Sequence, residues 1–419
     1  MSPTVRATMP QGTVTGLREA ACCRFSAIPY AQAPVAELRF KPPLPATWKG
    51  ELDATRPGPV APQLPSRLRG AMGDFAAPQS EDCLHLTVWT PAPDRARRPV
   101  LVWLHGGAWQ SGGGAVDWYD GARLAVRGDI VVVAPNYRLA GLGWLAPEGG
   151  TANLGILDQE LALDWVARHI EAFGGDPDRV TVMGQSAGGM SIANLLMRGQ
   201  PKFQRAVLQS ASLGRGMRSA AQAAEIARIF LRAAGAHNVE EARRLPVAAL
   251  LEAQKAPDVL AWLAAENAHR ALFGPVADGE VLPADEQAAL KRASGRVDSV
   301  AGYTADEMNA FPTPSAPGLG DEVFGAPARR WAADAAAQGR RAWSFRFDHA
   351  PNERFGACHC IELPFVFGTV EAFKDAPMLQ GLRPEEAVRL VTEMQQAWIG
   401  FIRDGDPGWP EWPQQKVFA

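Results

Sequence analysis

Three largely apolar runs, residues 99–104, 130–134 and 180–183, punctuate the first half of the chain. Continuous runs of this kind predict strands buried on both faces of a sheet. Between the second and third, residues 158–173 carry Leu161, Leu163, Trp165, Val166 and Ile170 at helical spacing, and Gly174-Gly175 stops the pattern. Residues 205–209, centred on Ala206-Val207-Leu208, predict the next strand. Strand and helix thus alternate in the manner of a parallel sheet with crossover helices. Upstream, short strands are expected at 13–17 and 22–26 around a polar turn, and another at 82–91, where Leu84, Leu86 and Val88 alternate with less apolar positions. The stretch from Pro29 to Pro65 is too broken by proline for regular structure, so a surface arm held by packing rather than by ladders is expected there. Downstream, residues 219–270 read as Ala-rich helices broken at Gly235 and Pro246, with no strand-like run, and predict a cap inserted over the sheet. Strands at 298–303 and 342–347 flank a helical stretch at 326–338, an amphipathic helix covers 384–403, and the tail from 404 to 419 looks irregular. No internal repeat or low-complexity linker interrupts the pattern, so residues 1–419 are expected to form a single α/β domain with cap elements at about 219–270.

Composition narrows the partners more than the fold. The formal net charge is -3, and no apolar run reaches the ~18 residues a bilayer span requires, so neither nucleic acid nor membrane is an expected partner. Arg95, Arg97 and Arg98 form the one tight basic cluster, in a position that predicts a solvated loop between strands. Residues 1–20 lack the apolar core of a secretory signal, so the chain as written is expected to be cytoplasmic. Five cysteines, an odd number without regular spacing, point to reduced thiols. Cys358-His359-Cys360 cannot close a tetrahedral metal site alone, and no second Cys/His cluster accompanies it, so no metal or organic cofactor is expected. The sequence does not indicate the oligomeric state.

The candidate chemistry begins at Gly184-Gln185-Ser186-Ala187-Gly188, placed between the 180–183 strand and a small-residue helical segment, 189–196. A serine between glycines on a strand-to-helix turn has the form of a nucleophile elbow of an α/β-hydrolase. Ser186 needs a base, and the base needs an orienting acid, in the chain order serine, acid, histidine. His349 and His359 both follow far enough along, and the placement of His359 in a loop beyond the 342–347 strand favours it. The loop after the 298–303 strand offers Asp306 and Glu307, which pattern alone does not separate. Thr304-Ala305-Asp306-Glu307 also reads as a capping box, which would give Glu307 a purely structural task. His105-Gly106-Gly107-Ala108-Trp109 supplies a glycine-rich turn suited to an oxyanion hole, with the Ala187 N–H as a further donor, and His105 reads as a residue bracing that loop. Among thirteen tryptophans, Trp109 beside that turn is the first candidate for a substrate-pocket wall, followed by Trp118 and by Phe355.

So many ordered segments also resemble a known family. Ile28-Pro29-Tyr30-Ala31, Ser80-Glu81-Asp82-Cys83-Leu84, Asn136-Tyr137-Arg138, Phe173-Gly174-Gly175-Asp176-Pro177, the elbow, Gly302 to Glu307, and His359 before Glu362-Leu363-Pro364-Phe365 together resemble the type B carboxylesterases, which include bacterial p-nitrobenzyl esterases and the cholinesterases. The resemblance implies a mostly parallel sheet flanked by helices, and hydrolysis of small carboxylic esters through an acyl-enzyme. It implies a triad of Ser186, Glu307 and His359, and oxyanion donors at Gly107, Ala108 and Ala187. It also implies scaffold ion pairs Arg39–Glu81 and Arg138–Asp158. A carbamate or amide hydrolase on the same triad stays open as an alternative, and a non-catalytic adhesion protein of the same fold would require a broken triad. Three departures from the family pattern carry expectations. Ala61 stands where secreted members carry the disulfide partner of Cys83, leaving Cys83 a small buried thiol. Gln185 stands where glutamate is usual, removing a charge beside the substrate and any preference for choline-like cations. The span from Glu307 to His359 is short, 52 positions (359 minus 307), and the trimmed region at 311–340 is expected to leave a shallow, open cleft.

Overall fold

The computed structural model describes residues 3–267 and 270–419. Its strands, in chain order, are β1 (Thr4–Met9), β2 (Gly12–Glu19), β3 (Cys22–Pro29), β4 (Gly50–Asp53), β5 (His85–Thr90), β6 (Arg98–Leu104), β7 (Val131–Pro135), β8 (Gly175–Gln185), β9 (Arg205–Gln209), β10 (Arg218–Ser219), β11 (Val276–Ala277), β12 (Asp298–Thr304), β13 (Ala342–Phe347) and β14 (Gln415–Phe418). All but β10 and β11 join one sheet, in the order β1-β2-β3-β5-β7-β6-β8-β9-β12-β13-β14, with β4 beside β2. From β7 to β14 every neighbouring pair is parallel; β1, β2, β3, β5 and β7 are joined antiparallel. This is the α/β-hydrolase arrangement.

The parallel block behaves as its sequence predicts. Val100, Leu101, Val102, Trp103 and Leu104 of β6 and Val131, Val132 and Val133 of β7 are fully buried, because helices cover both faces of the sheet. Helix Leu154–His169 begins earlier than periodicity alone indicates, with Asn153 at its N-cap in a left-handed conformation. The final helix, Pro384–Asp404, lays Leu390, Met394, Trp398, Phe401 and Ile402 into the core of its own chain.

Three strands of the main sheet fall outside the sequence reading. β1 escapes it because its ladder with β2, from Thr4↔Leu17 to Met9↔Gly12, pairs a mixed polar and apolar segment. β4 lies within the proline-rich arm and adds a ladder beside β2, and β14 turns the end of the supposedly irregular tail into an edge strand on β13. Edge strands of four residues carry too few apolar positions to show a period of two; only Phe418 of β14 is buried.

Residues 219–270 contribute helices Ala220–Ala233, Val239–Ala242, Val247–Ala253 and Pro257–Asn267. The two-stranded pair β10-β11 brackets them, so a small ladder closes the base of a segment read as purely helical. Ser219 caps the first helix through a reciprocal box with Gln222, and Ile226, Phe230 and Leu231 anchor it in the main core. No helix among the described residues is long and apolar enough to cross a membrane.

Candidate active site

β6, β8 and β12 deliver the glycine turn, Ser186 and Glu307 to one edge of the sheet, at the C-terminal ends of parallel strands. The loop beyond β13 brings His359 to the same edge. Ligands in open α/β folds bind outside such an edge.

The turn at Ser186 is forced. Its φ of 57° and ψ of -119° lie outside the regions a side-chain-bearing residue normally occupies, and the Ser186 N–H is tied to the Gln209 carbonyl at 2.9 Å. A Cβ on Gly188 would collide with the Leu104 carbonyl, and one on Gly184 with the Gly188 backbone, so both positions exclude any side chain. Helix Ala187–Arg198 starts directly after the serine and is buried along almost its whole length.

Ser186 Oγ lies 2.8 Å from His359 Nε2, and His359 Nδ1 makes a short contact with Glu307 Oε2. The other Glu307 oxygen accepts the Thr304 N–H at 2.9 Å. Capping and orienting are therefore compatible here: one oxygen serves the helix start and the other faces the imidazole. The hydroxyl half of the box is missing, since Thr304 Oγ1 is buried without a partner. Asp306 has a separate task, accepting the Ala357 N–H at 2.9 Å and so clamping the loop that carries His359. His349 lies elsewhere, 3.8 Å from Glu386.

Gly107, Ala108 and Ser186 line one cavity of about 230 Å³. Gly107 has φ +106°, and Ala108 and Trp109 follow at φ 56° and 57°, a run of left-handed residues that turns successive N–H groups the same way. Among the described residues no hydrogen bond uses the N–H of Gly107 or Ala108. His105 braces this turn: it stacks on Tyr137 with ring centroids 4.3 Å apart, while Tyr137 Oη donates to the His105 carbonyl at 2.6 Å. Burial pushes the His105 imidazole down to about 4, so it is neutral over the physiological range.

None of the four residues expected to line a substrate pocket is in the wall of this cavity. Trp109 is buried, donates to Ser191 Oγ at 3.1 Å and packs on Trp144. Trp118 stacks on Phe373 and borders a different hollow, and Phe355 is buried in the core on the other face of the sheet from Trp109. Gln185 is buried too, but its amide lies 3.2 Å from His359 Nε2, so it acts on the histidine rather than on a substrate directly. Aromatic side chains are as useful in a core as in a cleft, and sequence alone does not distinguish the two.

The cavity wall instead comes from the proline-rich arm (Leu64 to Leu68), from Leu260 and Leu263 of helix Pro257–Asn267, from Arg270 to Leu272, and from Phe311. Phe311 and Phe324 flank the His359 ring at 5.4 and 4.7 Å. Phe311 follows Glu307 by four positions, across a single short helix, a signal the sequence does carry. Nothing local announces Phe324, which a π-helical turn at Asp321–Gly325 brings in.

The two scaffold ion pairs form as expected. Arg39 grips both oxygens of Glu81 at 2.7 and 2.5 Å, and Arg138 holds Asp158 at 2.8 and 2.6 Å with both side chains buried. Cys83 is buried beside the same small hollow as Ala61, and burial raises its thiol pKa far above the ordinary value.

Comparisons with known proteins agree with this geometry. The model of the Carboxylesterase family matches residues 2–318 and 314–417. Para-nitrobenzyl esterase of Bacillus subtilis (strain 168) is 36% identical over 458 aligned positions, covering 97% of this chain and 92% of the relative. A probable N-octanoylanthranilate hydrolase of Rhodococcus erythropolis is 39% identical over 437, covering 96% and 94%. A solved PNB esterase structure superposes with a TM-score of 0.87 at 32% identity, covering 99% of this chain and 95% of that one. With fold, family model and near-full-length relatives in agreement, the chain belongs to the carboxylesterase family and is an ester hydrolase.

Proposed function

We propose that Ser186, His359 and Glu307 form the catalytic triad of this ester hydrolase. The reading rests on one observation, the line from Ser186 Oγ through the imidazole to the Glu307 carboxylate. With Nδ1–H directed at Glu307, Nε2 holds the lone pair that takes the serine proton as Oγ attacks the ester carbonyl. The tetrahedral oxygen is then stabilised by the N–H groups of Gly107, Ala108 and Ala187, the last at the positive end of helix Ala187–Arg198. His359 passes its proton to the leaving alcohol, and a water activated by the same nitrogen releases the acid. No step in this sequence calls for a metal or organic cofactor.

The cap role of residues 219–270 is part of the proposal, supported by Leu260 and Leu263 in the wall of the Ser186 cavity. Leu260 is 50% exposed, which fits a cleft open to bulky substrates at that side. A cytoplasmic setting fits five buried cysteines that are all free thiols. The relative named as an N-octanoylanthranilate hydrolase favours testing N-acyl substrates beside esters.

The direct test compares the wild-type protein with Ser186→Ala on p-nitrophenyl acetate, butyrate and octanoate. Loss of about 10⁴-fold or more in kcat is expected, the scale of removing a serine nucleophile elsewhere. Hydrolysis surviving the substitution would remove Ser186 from the mechanism. The acyl-length profile measures the pocket.

A further inference from the structure

The cavity over Ser186 is strongly asymmetric in charge. Among the described residues its lining includes Arg67, Lys255 and Arg270, and no carboxylate except what lies behind His359. Lys255 is matched by Glu252 on its own turn, at 2.6 Å. The two arginines are not matched: among the described residues neither forms an ion pair with an acid. Each is tethered to a carbonyl, Arg67 Nη1 to that of Arg270 at 3.4 Å and Arg270 Nη2 to that of Arg215 at 2.6 Å.

A third guanidinium stands directly behind. Arg215 lies over the rings of Phe311 and Phe324, 5.5 and 5.8 Å from their centroids, and Arg67 lies 5.9 Å from the Phe311 centroid on the same wall. Burial, then the charges of Arg67 and Arg270, push Arg215 down to about 10 against a smaller opposing pull from Glu307, which fits cations crowded together. The carboxylate of Glu286, which feels the Arg270 charge, accepts the Met217 N–H at 2.8 Å through one oxygen and leaves the other buried without a partner, but it forms no ion pair with Arg270. Guanidinium groups that share a wall and form no ion pair with a carboxylate among the described residues are held at a net cost. The same groups bind a planar carboxylate through paired hydrogen bonds when one is supplied from outside.

The same cavity that holds these cations and the serine is lined by Leu64, Leu68, Leu263, Leu272 and Phe311, beside the polar Gln110, Ser111 and Gln254. We infer that the substrates are amphiphilic esters carrying a free carboxylate, bound with the carboxylate between Arg67 and Arg270 and the apolar stretch along the leucines, the ester carbonyl at Ser186. This rests on the Ser186 mechanism and adds to it a substrate class. Arg67 and Arg270 are, in this account, specificity residues that touch the substrate away from the reacting bond, and Arg215 positions them by holding the aromatic wall.

The test uses matched pairs of esters and reads the ratio of kcat/KM for the charged member over the neutral one. On the acyl side the pair is 4-nitrophenyl hydrogen adipate and 4-nitrophenyl hexanoate; on the alcohol side it is 3-carboxyphenyl hexanoate and 3-carbamoylphenyl hexanoate. In at least one pair the wild-type ratio is expected to favour the carboxylate by about tenfold or more, as for a hydrogen bond to a charged group. Arg67→Gln and Arg270→Gln should each lower that ratio about tenfold. Raising salt from about 0.02 M to about 0.5 M should compress the wild-type ratio, because the site opens to solvent and the Debye length shrinks. The salt series decides the matter even if a variant folds poorly. Ratios at or below one in both pairs overturn the inference, as do ratios insensitive to both salt and the arginine substitutions. If hydrolysis survives Ser186→Ala, the serine mechanism fails instead, and the placement of the carboxylate relative to it falls with it.

Discussion

Ser186 is held by neighbours that leave it a single conformation, and the same economy governs the residues around His359. Gln185 shows the effect most clearly. Its amide points at the nitrogen that accepts from Ser186, 3.2 Å away. Gln185→Leu removes this contact while keeping the position filled, and should lower kcat on p-nitrophenyl butyrate by about tenfold, the scale of one hydrogen bond that helps hold the reacting ring. An unchanged kcat in a folded variant would show that position 185 does not help to hold the base. The sequence reading placed Gln185 beside the substrate as a missing negative charge. Its burial moves the consequence from substrate charge preference to the setting of the His359 ring.

Among the elements, the long connections are secured by buried charge. Arg138, just after β7, takes Asp158 of helix Leu154–His169 through two side-chain bonds and one from its own backbone N–H at 3.0 Å, and also reaches the Lys41 carbonyl in the proline-rich arm. Asp158 is fully buried. Removing its charge leaves a guanidinium in the core without compensation, so Asp158→Asn should cost about 3 to 5 kcal/mol in urea or thermal unfolding. A loss below about 1 kcal/mol would mean the pair is solvated, contrary to its burial. Arg39 does comparable work at the surface of the same arm, bonding Glu81 and the carbonyls of Arg243 and Leu245. In this way an arm without periodic structure becomes a fixed wall of the cavity. Proline frequency signals that most of such an arm, β4 apart, lies outside ladders, yet it does not tell which residues the arm presents to Ser186, because that depends on partners more than a hundred positions away.

Across the whole molecule, the support behind the triad is a buried polar chain that crosses three distant segments. Trp398 of the final helix donates to Gln209 Oε1 at 2.9 Å, and Gln209 Nε2 donates to Glu362 Oε1 at 3.0 Å. Burial, with a further contribution from the Glu307 charge, pushes the Glu362 carboxyl up to about 8, so it is protonated at neutral pH. A carboxyl whose folded pKa lies above its unfolded value of about 4.3 leaves stability intact below that value and takes it away as pH rises through about 8. The wild-type melting temperature should therefore fall between about pH 5 and pH 8 and level off above that, and Glu362→Gln should flatten the decline. Parallel curves for the two proteins would assign the loss to another group. Much of this molecule was legible in advance: the strands of the parallel block, because burial on both faces demands continuous apolar runs; the elbow, because only glycine fits two positions before and after Ser186; and, with the family resemblance, Glu307 and His359 as the pair that the structure brings into contact. The residues around the cavity over Ser186 were not. Phe311, Phe324, Arg67, Arg215 and Arg270 come from separate segments with no shared period or spacing, and the tryptophans that looked suited to the pocket turned inward. Local sequence determines which elements form, since side-chain volume and backbone freedom act over a few residues; the charge and shape of the cleft exist only once chain folding has brought those segments within a few ångströms, and only the tertiary structure decides them.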